Sequence, residues 1–196
     1  VCLVTGASRG IGAATARELA CRGYRVVVNH RDSATTAEAV AGDVRTGGGE
    51  ALVVQGDVTD PDDVTRLVET TVGHWGRLDV LVHNAMAPFP VTSFADLGWE
   101  QLGAKLDQEL HAAYLLTHAV LPGMTDRSYG RLVYLSTGLS RRPRNGMIAL
   151  GGGSPIDTAK AMGVLAANPG RMRDYKVPNP IPNEGVPLLA IPTTAG

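Results

Sequence analysis

What the sequence lacks narrows its role first. It holds two cysteines in 196 residues, with neither metal-ligand spacing nor the density of a secreted disulfide framework, so Cys2 and Cys21 read as buried free thiols in a reducing cytosol. A formal net charge of −1 offers no field for nucleic acid or an anionic membrane, and no basic run is interleaved with aromatics, which make up only 5% of the chain. No apolar run approaches the roughly 18 residues needed to span a bilayer, and no signal peptide precedes the first apolar run. A cytoplasmic location is therefore expected, with neither nucleic acid nor membrane as a partner. There is no initiating methionine: the chain starts at "VCLVTG" and stops at "IPTTAG", and both ends read as cut.

What is present is ordinary globular composition, 44% apolar and 19% charged, enough for one α/β domain with a sizeable core. Short β-branched runs alternate with stretches of helical period. "VCLVT", "YRVVVN", "ALVVQ", "LDVLVH" and "GRLVYLS" read as strands; Ile11 to Arg22, Ala34 to Arg45, Asp62 to His74 and Trp99 to Leu121 read as helices. That alternation means βαβ units and a parallel sheet with helices on both faces, and strands this apolar suit burial on both sides. Past Ser136 the texture changes. An Arg-, Gly- and Pro-rich loop, the brief run "MIAL", a helical period from Ser154 to Ala167 and a Pro- and Asn-rich connection lead to "VPLLAIPT", expected as a sixth strand within residues 186–193. The composition boundary falls near Leu150.

"VTGASRGIG" follows the first strand and opens the first helix, with Gly6, Gly10 and Gly12 where a tight turn, close backbone approach and close helix–strand packing exclude a Cβ. Free amides at such a helix start suit a pyrophosphate. With Thr5, Gly6, Gly10, Ile11 and Gly12 matching Thr-Gly-xxx-Gly-x-Gly, Asp57 and Val58 following the third strand in "QGDVTD", and "HNAM" (His83 to Met86) standing for Asn-Asn-Ala-Gly, residues 1–149 resemble the short-chain dehydrogenase/reductase family, in particular its 3-oxoacyl-carrier-protein-reductase branch. The resemblance implies a Rossmann-type doubly wound parallel sheet of strand order 3-2-1-4-5. It also implies cofactor contacts from Gly6, Ser8, Arg9, Gly10, Ile11, Gly12, Asn29, Arg31, Asp57, Val58, Asn84 and Ala85, and a small-molecule carbonyl or alcohol substrate. Homo-oligomerisation stays open.

The end of the second strand chooses the cofactor. A carboxylate there would accept hydrogen bonds from the ribose hydroxyls of NAD and repel a 2′-phosphate. Asn29, His30 and Arg31 stand there instead, with Arg9 in the glycine turn, which favours NADP over NAD; Asp32 lies close enough to blunt the preference.

The catalytic set is where this chain departs from the family it resembles. Hydride leaves a nicotinamide for a carbonyl carbon only if the growing alkoxide is protonated or tightly hydrogen-bonded, a task the resemblance assigns to a Tyr, a Lys four residues later, a Ser and a relay Asn. Counted from Gly130, the Ser position falls on Thr137, with Ser136 beside it; the Tyr position falls on Leu150, the Lys on Ser154 and the Asn on Glu109. Three of the four groups are missing, so the activity of the chain is in doubt.

A second signal occupies the place of the lost set. "GGGSPIDTAK" reads as a strong helix start, with Ser154 as N-cap, Pro155 at the first helical position, Asp157 completing a capping-box-like pair, and three glycines baring the amides. Gly151, Gly152, Gly153, Ser154, Asp157, Ala159 and Lys160 make residues 150–196 resemble the iron-containing alcohol dehydrogenases. That implies cofactor contacts from Gly152, Gly153 and Ser154, and from Thr193 and Thr194. Its metal-binding carboxylate and histidines have no counterpart here, and His30, His74, His83, His111 and His118 fall on scattered elements, so no metal is expected.

The two resemblances together read as a chimera or double fragment, an oxidoreductase of short-chain type joined to a foreign tail. The alternatives are a fragment of an iron-dependent alcohol dehydrogenase and a catalytically silent nucleotide-binding protein. An uncovered strand edge is an aggregation liability, which gives the tail a reason to dock: Leu188 to Ile191 are expected to pair in parallel with Leu132 to Leu135.

Overall fold

The structure, a computed structural model, describes residues 1–86, Asp96, and residues 98–137 and 188–193. Six parallel strands form one sheet of order β3-β2-β1-β4-β5-β6. In chain order the elements are β1 (Cys2–Val4), α1 (Gly10–Cys21), β2 (Val26–His30), α2 (Ala34–Thr46), β3 (Ala51–Gln55), α3 (Pro61–Trp75), β4 (Val80–His83), α4 (Trp99–Asp126), β5 (Arg131–Thr137) and β6 (Leu188–Thr193).

Period-two alternation explains why the central strands carry unbroken apolar runs ahead of their polar carboxyl ends. Cys2 and Val4, Val26 and Val28, and Val80 and Val82 face α1 and α2, where Ala13, Ala16, Ala37 and Val40 meet them. Leu3, Val27 and Leu81 face the other way, against Val64 and Leu67 of α3 and Leu116 and Val120 of α4. A strand with an apolar layer on each side has no solvent face to keep polar. β2 and β4 are buried at every position, whereas β3, on the sheet edge, is mostly half-buried.

The helix ends follow local chemistry. Asp60 caps α3 by accepting from the amides of Asp62 (2.9 Å) and Asp63 (3.0 Å), Pro61 takes the first helical position, and Gly76 ends the helix in the left-handed region at φ 76°. The sequence places the end of α4 at Leu121, ahead of Pro122, but the helix continues through that proline to Asp126. The physical reason is downstream packing. Val120 and Met124 are both buried in the core beside β5, and one lost backbone hydrogen bond does not outweigh that burial.

β6 pairs with β5 in the expected register, Leu132 with Leu188 through Leu135 with Ile191, and the ladder runs on to Thr137 opposite Thr193. The tail therefore supplies the strand that covers the β5 edge.

The reading of both cysteines as buried needs correction. Cys2 lies inside the sheet, and burial pushes its thiol up to about 12, but Cys21 is exposed. The buried stripe of α1 is Gly12, Ala13, Ala16 and Ala20, and one residue past Ala20 the helix has turned about 100° away from the sheet. Among the described residues no helix is long and apolar enough to cross a membrane.

Candidate nucleotide-binding cleft

In a parallel sheet the strands deliver their loops to one end, and here the carboxyl ends of β1 to β4 open on one cavity of about 440 Å³. Gly6, Ser8 and Arg9 line it from the glycine turn; Asn29, Arg31, Asp32 and Ser33 from the end of β2; Gly56 to Thr59 from the end of β3; and Asn84 to Met86 from the end of β4. Gln108, Glu109 and Ala112 of α4 close the far side.

Beneath the cleft lies a tight polar clamp. Thr5 is fully buried, and its hydroxyl accepts from the backbone amides of Asn84 and Ala85, both at 3.0 Å. Asn84 answers by donating its side-chain amide to the carbonyls of Thr5 (2.9 Å) and Gly6 (3.1 Å). These bonds tie the glycine turn after β1 to the loop after β4, so two segments 80 residues apart in sequence form one floor. A Cβ on Gly12 would collide with the Asn84 side-chain nitrogen and lie 2.7 Å from the Gly6 carbonyl oxygen, so the helix start can sit this low only with glycine there. Gly10 differs: its φ of +57° demands glycine, but the space above it is open. α1 begins there without a side-chain cap and without an acidic residue in its first turn, leaving bare amides at an open surface.

Asn29, near the end of β2, lines the cleft from below. It is only 1% exposed, and its amide is spent inside the fold: Oδ1 accepts from the Gly6 amide (3.3 Å), and Nδ2 donates to the carbonyls of Gly56 (3.0 Å) and Val54 (3.3 Å). These bonds brace the glycine turn against the end of β3. Arg31 stands at the mouth instead, exposed, with its Nε donating to Asp32 (2.7 Å) and Nη1 3.7 Å from Asp57. The bond to Asp32, then the charges of Asp32 and Asp57, hold its guanidinium above the usual arginine range. Asp57 is itself fixed: its Oδ1 accepts from the Thr59 amide (2.9 Å) and hydroxyl (2.7 Å), and its backbone amide donates to Asp63 (2.8 Å).

Of the sequence-derived contacts, Gly6, Ser8, Arg9, Arg31, Asp57, Val58, Asn84 and Ala85 line the cleft together with Asn29. Gly10, Ile11 and Gly12 do not: Gly12 lies buried under the turn and Ile11 is exposed on the outer face of α1. Ser136 and Thr137 end β5, whose neighbour β4 delivers Asn84 to the cleft. Leu150, Gly152, Gly153, Ser154 and Thr194 lie outside the described residues.

Sequence reasoning missed Lys105. It is 4% exposed and donates to Glu109 Oε1 at 2.6 Å, an ion pair one helical turn long with the carboxylate at the cleft. Spacing four apart on a helix was the available signal. Behind the same wall sits His83, where burial pulls the imidazole down to about 4 against the opposing charge of Glu109. None of the described tyrosines lines the cleft. Tyr134 in β5 is fully buried, its hydroxyl hydrogen-bonded to Thr117 and pushed above the ordinary phenol range by burial, so it is a core group and not a proton donor to the site.

Comparison with known proteins agrees with this geometry. The chain is 42% identical over 137 residues to a 3-oxoacyl-[acyl-carrier-protein] reductase of Synechocystis sp., a match covering 70% of this chain and 55% of that protein. It is 49% identical over 85 residues to a versicolorin reductase of Emericella nidulans, covering 43% and 32% respectively. The chain thus spans about half the length of the first of these relatives and the match about a third of the second. Among solved structures it is similar to a metagenomic short-chain oxidoreductase in complex with NADP, with 32% identity and a TM-score of 0.68 over 80% of this chain and 69% of the other. The short chain dehydrogenase family model matches residues 1–152, and with more than three-quarters of its length accounted for in this way, the chain belongs to the short-chain dehydrogenase family.

Proposed function

We propose that this chain binds NADP(H) in the cleft at the carboxyl ends of β1 to β4 and derives from an oxidoreductase that interconverts a small-molecule carbonyl and alcohol. One observation carries the reading: the open, uncapped start of α1 above Gly10, cradled by a turn that Gly12 and Asn84 hold down, is a seat for a pyrophosphate. The flanking residues fit the rest of a dinucleotide. Asp57 and Val58 stand where an adenine would lie, and Arg9 and Arg31 stand where a 2′-phosphate would need charge-assisted donors. α2 also starts beside the cleft, at Ser33, with no side-chain cap bond. NADP in the complex of the similar oxidoreductase supports the same choice.

When bound, the cofactor supplies the hydride; the protein must bind, orient and manage the proton. Asn84 and Thr5 fix the floor, and Arg9 and Arg31 hold the phosphates. Titration of NADPH and NADH by nicotinamide fluorescence tests the assignment. NADPH is expected to bind at least about tenfold more tightly, and Arg31→Ala to erase most of that difference by removing a charged donor worth about 1.5–3 kcal/mol. Equal affinities in the unaltered chain reject it.

The proton-managing set is the weak part of the enzyme. With Leu150 and Ser154 at the Tyr and Lys positions, the chain is expected to turn over ketones and 3-oxoacyl thioesters far more slowly than its family, because a positioned acid contributes roughly 10²- to 10⁴-fold. Leu150→Tyr combined with Ser154→Lys should restore measurable NADPH oxidation. Ready turnover by the unaltered chain would refute this and point to another acid.

Residues 1–149 serve as the nucleotide-binding domain, and residues 150–196 as an iron-alcohol-dehydrogenase-like segment docked on it. The family match stops at residue 152, beside the boundary at Leu150, and β6 is the docked portion. Amplifying the source DNA across the codons for Ala149 and Leu150 tests whether that junction is encoded as one gene. A catalytically silent nucleotide-binding protein is the second reading, favoured by the same Leu150 and Ser154.

A further inference from the structure

The Lys105–Glu109 pair gives the cleft an electrical asymmetry. Its outer end carries Arg9 and Arg31, the latter paired with Asp32 and near Asp57. Its inner end, beyond the glycine turn and past Asn84 to Met86, is walled by Gln108, Glu109 and Ala112 of α4. Glu109 lines that wall and Lys105, one turn earlier on the helix, does not; its ammonium is 4% exposed and bonded to the Glu109 carboxylate. A group entering the inner end therefore meets the negative partner first. Both side chains are well shielded from water, Glu109 at 14% exposure, so solvent screens their field less than it would at the surface.

The direction of a bound dinucleotide follows from the fold. With the pyrophosphate on the α1 start and the adenosine half toward β2 and β3, the other half must run over β1 toward the end of β4 and α4. That half ends in a ring that carries a formal positive charge when oxidised and none when reduced, with almost the same shape. We infer that Glu109, set at the inner end of the cleft and backed by Lys105, makes the site discriminate between the two redox forms and favours NADP⁺ over NADPH. The inference rests on the nucleotide-binding role proposed above. A site biased this way shifts the enzyme-bound equilibrium toward NADP⁺, while the overall equilibrium between carbonyl and alcohol in solution is unchanged.

Calorimetric titration of the full chain with NADP⁺ and with NADPH provides the test, and it needs no turnover. The quantity read is the ratio of the two dissociation constants, which cancels any loss of folded protein because both forms need the same fold. Glu109→Gln keeps the shape and removes the charge, and should shift the ratio roughly tenfold toward NADPH; Lys105→Gln should shift it roughly tenfold toward NADP⁺. Should Glu109→Gln alone leave a buried ammonium that unfolds the chain, the double variant Lys105→Gln/Glu109→Gln replaces it, and its ratio should fall on the NADPH side of Lys105→Gln. A ratio unchanged within about twofold across the variants, with both forms still bound, overturns the inference and leaves the nucleotide site standing. Failure of the unaltered chain to bind either form overturns both.

Discussion

Gly12→Ala is expected to lower the melting temperature by about 5–10 °C and NADPH affinity by about a hundredfold, although alanine is the best helix former and position 12 is the third residue of α1. The added Cβ would meet the Asn84 side-chain nitrogen, the Gly6 carbonyl oxygen at 2.7 Å and the Ala7 Cα at 3.0 Å, two of which are backbone and cannot swing aside. Relief would have to come from Asn84, whose two bonds to the carbonyls of Thr5 and Gly6 hold the turn to β4. Overpacking of this kind costs about 1–3 kcal/mol, and the cleft floor moves with it. The matching control is Gly42→Ala in α2, where nothing lies within 4 Å of the new Cβ and φ is unstrained. There the helix propensity gain of about 0.5–1 kcal/mol is expected to appear as a rise of roughly 2–4 °C. Thermal melts of the two variants decide the matter. Equal shifts of the same sign would mean that the glycine turn is not held as tightly as its contacts indicate.

Gly12 also illustrates which part of this molecule was legible from sequence. A glycine between an apolar run and a helical period has few physical uses, and three at this spacing have fewer, so the turn and the cleft follow from local pattern, and the sheet order from the family resemblance that pattern carries. β6 was legible for a similar reason: "GRLVYLS" had an edge to be covered, and the apolar segment that could cover it pairs in the expected register. What pattern did not carry was the direction of individual side chains. Asn29 stands where a carboxylate would select the ribose, and its side chain, on the face it shares with Val27, bonds Gly6, Val54 and Gly56. Cys21 sits one residue beyond a buried alanine, and that one step decides its exposure. Pro122 stops helices by local rule, but Met124 has a core to fill. Helical phase settles Cys21, whereas for Asn29 and Pro122 a partner distant in sequence decides, and a single chain gives no view of that partner until the sheet is assembled.

His83 provides the other large effect, as a dependence of stability on acid. It is buried at the end of β4, 3.4 Å from the Thr5 hydroxyl and edge-on to the Tyr134 ring at 5.8 Å. Burial lowers its imidazole from the ordinary value of 6.5 to about 4, the carboxylate of Glu109 opposing the shift. Between those limits the unfolded chain takes up a proton that the native chain refuses, so stability falls as pH falls from about 6.5 to about 4, and the loss levels off below that. At 1.36 kcal/mol for each unit of pKa the loss amounts to about 3 kcal/mol, a large share of the 5–15 kcal/mol that holds a typical domain together. Carboxylates held below their ordinary range act in a different window. Asp63, bonded to the Asp57 amide and then to Arg66, costs stability only once the pH drops below about 4. His83→Asn separates the two. The asparagine can still bond the Thr5 hydroxyl but cannot titrate, so the variant should lose less than about 1 kcal/mol between pH 7.5 and pH 4.5, where the parent chain loses about 3. At pH 7.5 it should be weaker than the parent by about 0.5–1.5 kcal/mol, the aromatic contact with Tyr134 being gone. Urea unfolding at the two pH values measures both quantities. If parent and variant lose the same stability on acidification, the proton is taken up elsewhere and the wall behind the cleft is not the acid-sensitive point of the fold.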